Sequence, residues 1–480
     1  MSTDRPNILL IGTDQQRYDA LGMAGNAQIK TPNLDGLARS GAFFERPYIQ
    51  NTVCIPSRAC MQTGRYTHQH GVTYMEAEID ETPGLPEWEV TFMERLQAAG
   101  YRTGATGKMH MMPQKGLHYE RLVGGKGSRW TQAEGGPLGP GPLGPTYASW
   151  LDTQHPGGYE AIYEQRRQPE YKDQMTAVEN VLPLKEYVDH WIADEAIEFL
   201  NYPLSKPFFL WCSFCGPHGP IDPPRPYTDI YPFEDMPLPR LHPNDPPRSP
   251  KGRPNCRWKD DETLIRRWVS YYWGLVTLID DEVGRLLKVL DDRGLRDNTL
   301  IAFVSDHGEM MGDYNLYGKG NFYEETTRVP LIVVPPGGKV AASRVPGLVE
   351  TSDLAATFLD YAGVNIPPQM SAQSLRPLLE GTGEARESVL CEQMDRNGPT
   401  RGKCVRTDRY KYIFFGKDAE SEFYDLQEDP YEEVNLYSDP AHREEVDRHK
   451  DLLLDRLMNS EQFYHTNETP SARDLQIWLD

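Results

Sequence analysis

The sequence predicts an α/β fold: a large, mainly parallel but mixed central sheet with helices on both faces, and a smaller C-terminal α+β subdomain. Three observations predict it. Continuous apolar runs recur along the chain, most of them closing on Asp or His; helical stretches stopped by glycine lie between them; and the texture changes near residue 385. Strand and helix alternating in this way make a layered α/β sheet. Ligands in such sheets gather beyond the carboxyl ends of the strands.

The first run, Ile8 to Gly12, closes on Thr13-Asp14 and is apolar without alternation, as in a strand buried on both faces. Leu34 to Ser40 and Phe92 to Ala99 read as helices, stopped by Gly41 and Gly100. Phe208 to Phe214 repeats the strand pattern and runs into Gly216-Pro217-His218. Glu262 to Arg293 is a long amphipathic helix ending at Gly294. Thr299 to Ser305 leads into Asp306-His307-Gly308, and Val329 to Val334 halts at Pro335-Pro336-Gly337-Gly338. Three of these four strands, all read as parallel, end in Asp or His, so chemistry is expected at that edge. Gly135 to Pro145 and the proline-crowded Pro217 to Pro254 read as loops or an active-site rim. Past 385 come short β pieces such as Tyr410 to Phe415, an acidic turn-rich stretch, and a charged helix from His442 to Met458. We therefore divide the chain into a catalytic unit, 1–384, and a C-terminal subdomain with a small antiparallel sheet, 385–480.

The 50 Lys and Arg face 71 Asp and Glu, a formal charge of -21. So acidic a surface repels nucleic acid and anionic membrane, and neither is expected as a partner. An anionic substrate then needs a local basic pocket. No secretory start and no apolar stretch of roughly 20 residues is visible, and the seven cysteines are scattered. The expectation is a cytoplasmic protein with mostly free thiols.

The segment Cys54-Ile55-Pro56-Ser57-Arg58 carries the chemistry. A cysteine beside a proline turn is ordinarily a small buried hydrophobe. Here Ser57 is placed to cap a following helix and Arg58 sets a cation one turn from Cys54, which suits a thiolate or an anion. Spacing alone goes no further.

Cys-x-Pro-Ser-Arg also resembles the modification motif of the sulfatase family, in which the cysteine is oxidised to formylglycine. Further elements of that resemblance follow in order: Gly100 to His110 with Gly107-Lys108-Met109-His110, Ser305-Asp306-His307-Gly308-Glu309, Gly318-Lys319 through Tyr323-Glu324 to Arg328-Val329-Pro330, and Tyr424-Asp425-Leu426 near the end. The likeness spans Arg5 to about Pro440. It implies a formylglycine hydrate at position 54, one oxygen attacking sulfur and the other later ejecting sulfate, a nucleophile that regenerates itself. It implies one divalent cation held by Asp14, Gln15, Asp306, His307 and the residue-54 oxygen. It also implies that Arg58 and His110 hold the nucleophile and that Lys108 and Lys319 grip the sulfate. His218 is the candidate general acid on the leaving oxygen, with Lys319 beside it. Oxygen-rich ligation suits Ca²⁺ first, with Mn²⁺ or Mg²⁺ next. The chain departs from the commoner paired acids with Asp14-Gln15, one negative charge fewer.

The resulting expectation is a sulfuric ester hydrolase acting on a small-molecule aryl, alkyl or sugar sulfate, served by a formylglycine-installing enzyme and possible as a homo-oligomer. The alternatives are a phosphonate monoester or phosphodiester hydrolase of the same superfamily, and a non-catalytic binding protein on this fold. Blander readings hold elsewhere. Cys212 and Cys215 are a buried strand end, His68 and His70 loop residues near the pocket mouth, Tyr271-Tyr272-Trp273 core packing, and Asp280 and Asp281 a solvated or helix-pairing face.

Overall fold

The structure, a computed structural model, describes residues 5–73, 84–111, 114–123, 126, 146–203, 205–240, 261–394, 401–416 and 421–461. The loop 135–145 and residues 241–254 of the proline-rich rim lie outside them. Eight strands form the main sheet: β1 (Asn7–Asp14), β2 (Ala42–Tyr48), β3 (Arg102–Gly107), β4 (Tyr119–Leu122), β5 (Phe208–Pro217), β6 (Thr299–Ser305), β7 (Leu331–Val334) and β8 (Arg344–Glu350). Their order is β4-β3-β5-β1-β6-β7-β2-β8.

β1 lies between β5 and β6, parallel to both, and every residue of it is buried. Its side chains alternate between two cores. Leu9 and Ile11 join a cluster with Leu210, Phe303 and Trp268, while Ile8 and Leu10 join Phe209, Leu300 and Val304 on the other face. Full burial stabilises each such side chain by about 1.5–3 kcal/mol, which fixes the strand at the sheet centre. On the first face pack α1 (Pro32–Ser40), α4 (Val188–Asn201) and α5 (Glu262–Asp292); on the second, α2 (Cys54–Thr63), α3 (Phe92–Ala98) and α6 (Asp353–Tyr361). The rings of Phe92, Phe209 and Phe358 meet on that second face, with centroids 5.1–6.0 Å apart.

One strand corrects the sequence reading. β7 pairs antiparallel with both β6 and β2. The chain leaves β6 at the carboxyl edge, builds the 306–330 segment there and re-enters from that same edge, so β7 must run back; accordingly it carries no acid or His at its end. β2, β3, β4 and β8 have no continuous apolar run, and β8 holds Pro346 and Gly347, which an edge position tolerates. Tyr271, Tyr272 and Trp273 are core, and Cys212 and Cys215 are buried in β5. Asp280 is fully buried and accepts from the backbone N–H of Asn33 (3.1 Å) and Leu34 (2.7 Å), so it pairs α5 with the start of α1. The six cysteines among the described residues are free and buried. Among those residues no helix is long and apolar enough to cross a membrane.

A second sheet, ordered β12-β11-β10-β9, is wholly antiparallel: β9 (Ser388–Met394), β10 (Arg401–Thr407), β11 (Tyr410–Phe414) and β12 (Glu422–Asp425). The helix α7 (Arg443–Ser460) lays Val446 and Leu453 against Leu390, Val405 and Phe423. β9 reaches the main unit just ahead of Cys54. The Glu392 N–H donates to the Gln50 carbonyl (2.9 Å), and the Thr52 hydroxyl donates to Gln393 Oε1 (2.8 Å).

Candidate active site

The carboxyl ends of β1, β5 and β6, with the turn after β3 and the start of α2, converge on one buried cluster. Cys54 is the first residue of α2, and Asn51 Oδ1 takes the Val53 N–H (3.0 Å) just before it. The helix thus starts four residues earlier than a Ser57 cap requires, and Pro56 falls in the first turn, where its missing N–H costs nothing. Ser57 instead donates its hydroxyl to the Asp306 carbonyl (2.6 Å), stapling α2 to the end of β6. Arg58, one turn on, is almost wholly buried. Its Nε donates to Asp306 Oδ2 (2.7 Å) and its Nη1 to Ser213 Oγ (2.8 Å) and the Lys108 carbonyl, so it holds Asp306 from behind.

Lys108 reaches the cluster because Gly107, at φ 86°, turns the chain; a Cβ there would lie 2.0 Å from the Ser213 carbonyl oxygen. Its ammonium donates to Asp14 Oδ2. Burial and the neighbouring Cys54 push the Asp14 carboxyl up, but Lys108, His218 and Lys319 prevail and hold it well below the usual carboxylate range. Gln15 and His110 adopt positive φ (69° and 56°), a strain of order 1–3 kcal/mol that persists only where surroundings impose it. At Gln15 they do: its N–H donates to Asp306 Oδ1 (3.1 Å) and its carbonyl accepts from Tyr272 (2.7 Å).

Asp14, Cys54, Asp306 and His307 each offer a donor atom within 4.8 Å of all the others, and all four are buried. His307 Nδ1 faces the Gly308 carbonyl at 2.9 Å. A carbonyl only accepts, so Nδ1 carries the hydrogen and Nε2 turns its lone pair into the cluster. The Lys319 ammonium lies 2.7 Å from Cys54 Sγ, 2.9 Å from His307 Nε2 and 3.2 Å from Gln15 Oε1. It is a positive charge already seated against three of the five predicted ligands. Two carboxylates, an imidazole nitrogen, an amide oxygen and the residue-54 atom form a donor set that fits a hard or borderline divalent cation. Burial pushes the Cys54 thiol up, yet Lys319 and Lys108 hold it well below its ordinary value, so the residue-54 atom sits where negative charge is favoured.

The sequence-predicted residues Asp14, Gln15, Cys54, Arg58, Lys108, Asp306, His307 and Lys319 are thus brought together. His110 lies close enough to hydrogen-bond Cys54. His218 stands at the rim between the cis prolines Pro217 and Pro220, within range of the charge on Asp14, with Nδ1 bound to the Gly219 carbonyl (2.7 Å). His68 and His70 do not reach the cluster. They sit in a short helix, where His70 bonds Cys60 and the Val72 N–H, and His68 bonds Glu392 and Ser460. Sequence reading assigned no site role to Ser213, Glu309 or Tyr272, the last read as core packing. Only Glu309 carried a signal, lying two residues past His307.

Comparison with known proteins agrees with this geometry. The family model described as Sulfatase matches residues 6–364, and that of the N-sulphoglucosamine sulphohydrolase C-terminal region matches residues 312–459. An arylsulfatase of Clostridium perfringens is 32% identical over 96% of both chains. The multifunctional alkaline phosphatase superfamily protein PehA of Trinickia caryophylli is 30% identical, over 91% of this chain and 92% of its own. The crystal structure of a phosphonate monoester hydrolase of Agrobacterium radiobacter shares the fold, with a TM-score of 0.80 at 23% identity over 98% of this chain and 99% of that one. A buried cysteine, a cation-ready donor set and two converging lysines at the strand ends of this sheet accord with those matches: the chain belongs to the sulfatase family, as a sulfuric ester hydrolase.

Proposed function

We propose that the protein hydrolyses a sulfate monoester, aryl, alkyl or sugar, with residue 54 acting after oxidation to formylglycine. In this reading Cys54 Sγ stands in for the attacking oxygen. A divalent cation, Ca²⁺ first and Mn²⁺ or Mg²⁺ next, is held by Asp14, Gln15, Asp306, His307 and that residue-54 atom. The observation that carries the reading is the convergence of those donors with Lys108 and Lys319. When present, the cation lowers the pKa of an adjacent hydroxyl and formylglycine supplies a nucleophile that regenerates.

The residues do the rest. Arg58 fixes Asp306, Lys108 and Lys319 neutralise the sulfate oxygens, and His110 orients the residue-54 group. Three cations, Arg58, Lys108 and Lys319, converge on this cluster and supply the local basic pocket that an anionic substrate needs in a chain of charge -21. Such charge placed in a water-poor site is ordinarily the largest catalytic contribution. His218, with Nδ1–H given to the Gly219 carbonyl, directs Nε2 to the leaving oxygen as general acid. The partners are a small-molecule sulfate ester and a formylglycine-installing enzyme, and we also propose that residues 385–480 form a subdomain beside a 1–384 catalytic unit.

A second reading, phosphonate monoester or phosphodiester hydrolysis, is favoured by Gln15 in place of an acid. Parallel turnover of an aryl sulfate and an aryl phosphonate by pure protein separates them. The sulfate is expected to have the higher kcat/KM; a clear phosphonate preference reverses the assignment. Mass spectrometry of the residue-54 peptide tests the oxidation.

A further inference from the structure

Glu309 is fully buried, and the cluster described above gives it no ligand role. Its Oε1 accepts the N–H groups of Met311 (3.1 Å) and Gly318 (2.5 Å), and its backbone carbonyl accepts from Arg17 (3.0 Å). The carboxylate is therefore fixed through Oε1, with Oε2 left to accept from Gln15 Nε2. The other end of that amide, Oε1, faces the Lys319 ammonium. A reversed amide would set its carbonyl against the Glu309 carboxylate and its NH₂ against the Lys319 cation, two repulsions in place of two attractions. We propose that Glu309 is a positioning residue that selects which face of Gln15 meets the cation, and so makes a neutral glutamine serve at a ligand position. An acid at position 15 would confront Glu309 charge to charge, which gives a physical reason for Gln there. The inference rests on the reading that Gln15 Oε1 is a cation ligand.

The test is calorimetric titration of metal-stripped protein with Ca²⁺ and, separately, Mn²⁺, with no substrate present. Glu309→Gln turns an NH₂ toward Gln15, flips its amide and is expected to weaken uptake by about tenfold or more, the range for residues that orient a ligand. In a Gln15→Ala background the same substitution is expected to change affinity less than about twofold, because no amide remains to orient. A general structural role would weaken both backgrounds equally, and that result overturns the proposal. The reciprocal pair, Gln15→Glu with Glu309→Gln, restores donor to acceptor. It is expected to bind at least as well as wild type, whereas Gln15→Glu alone binds more weakly. Equal affinity of that pair and Gln15→Glu alone also overturns the proposal, and this arm stands even if Glu309→Gln by itself does not fold. Failure of wild type to take up either ion defeats the cation reading; uptake unaltered in Glu309→Gln defeats this inference alone.

Discussion

At His218, the proposed general acid, the hydrogen bond to the Gly219 carbonyl leaves one ring nitrogen for a substrate. Nδ1 is engaged by its own turn, so only Nε2 can donate to a departing oxygen. A general acid matters most where the leaving group is poor. His218→Ala should therefore lower kcat/KM on an alkyl sulfate by about 10²–10⁴, while a nitrophenyl sulfate, whose leaving group needs no proton, loses far less; equal losses on both refute the role. At residue 54 a serine would occupy the same buried place at the start of α2. Cys54→Ser should keep the thermal midpoint yet stop after one turnover, and intact-mass measurement should find a covalent sulfate. Turnover at the unaltered rate would remove the aldehyde from the mechanism.

Buried carboxylates tie one element to another. Asp280 on α5 supplies the acceptor that the start of α1 lacks, since Thr31 provides no side-chain cap. Asp280→Ala should cost about 1–2 kcal/mol, as loss of a cap does, read as a lower urea midpoint with unaltered slope; Asp280→Asn should recover part of it. Glu392 on β9 is bound by His68 (2.9 Å) and Lys403. Burial pushes its carboxyl up, but His68 and Lys403 prevail and hold it at about 2 against an ordinary 4.5. Because the folded value is the lower one, its contribution is complete above pH 4.5 and is lost as pH falls toward 2. Glu392→Gln should be less stable than wild type at neutral pH, and its melting temperature should fall less steeply across that acid window. Parallel slopes in the two proteins would contradict the assignment.

Across the whole molecule, the cation is expected to bind a cluster assembled from β1, α2 and the segment after β6, and so to tie folding to binding. Stripping it with a chelator should abolish turnover and lower the melting temperature. Readdition at one hundred times the dissociation constant should return about 2.7 kcal/mol; a melting curve indifferent to chelator would place the ion elsewhere. Much of this architecture was legible in the residue order. The strands β1, β5 and β6 are unbroken apolar runs because both their faces are buried, and the helices α1, α3 and α5 carry glycine stops at their ends. Asp14, Cys54, Lys108, Asp306, His307 and Lys319 were legible because each lies in a motif fixed by its immediate neighbours. The direction of β7 was not, since an apolar run reads alike in either sense and only the return path through 306–330 decides it. Nor were the partnerships of Asp280 with Leu34, Glu392 with Gln50 in the loop before Cys54, or Glu309 with Gln15, which join residues 246 to 342 positions apart. Sequence alone thus determined the family and the fold class, and it named the residues that the fold gathers at the strand ends, all of which reside in local pattern. Which carboxylates hold those groups in place was decided only by the tertiary structure, because a buried charge finds its partner through space and leaves no period or spacing along the chain.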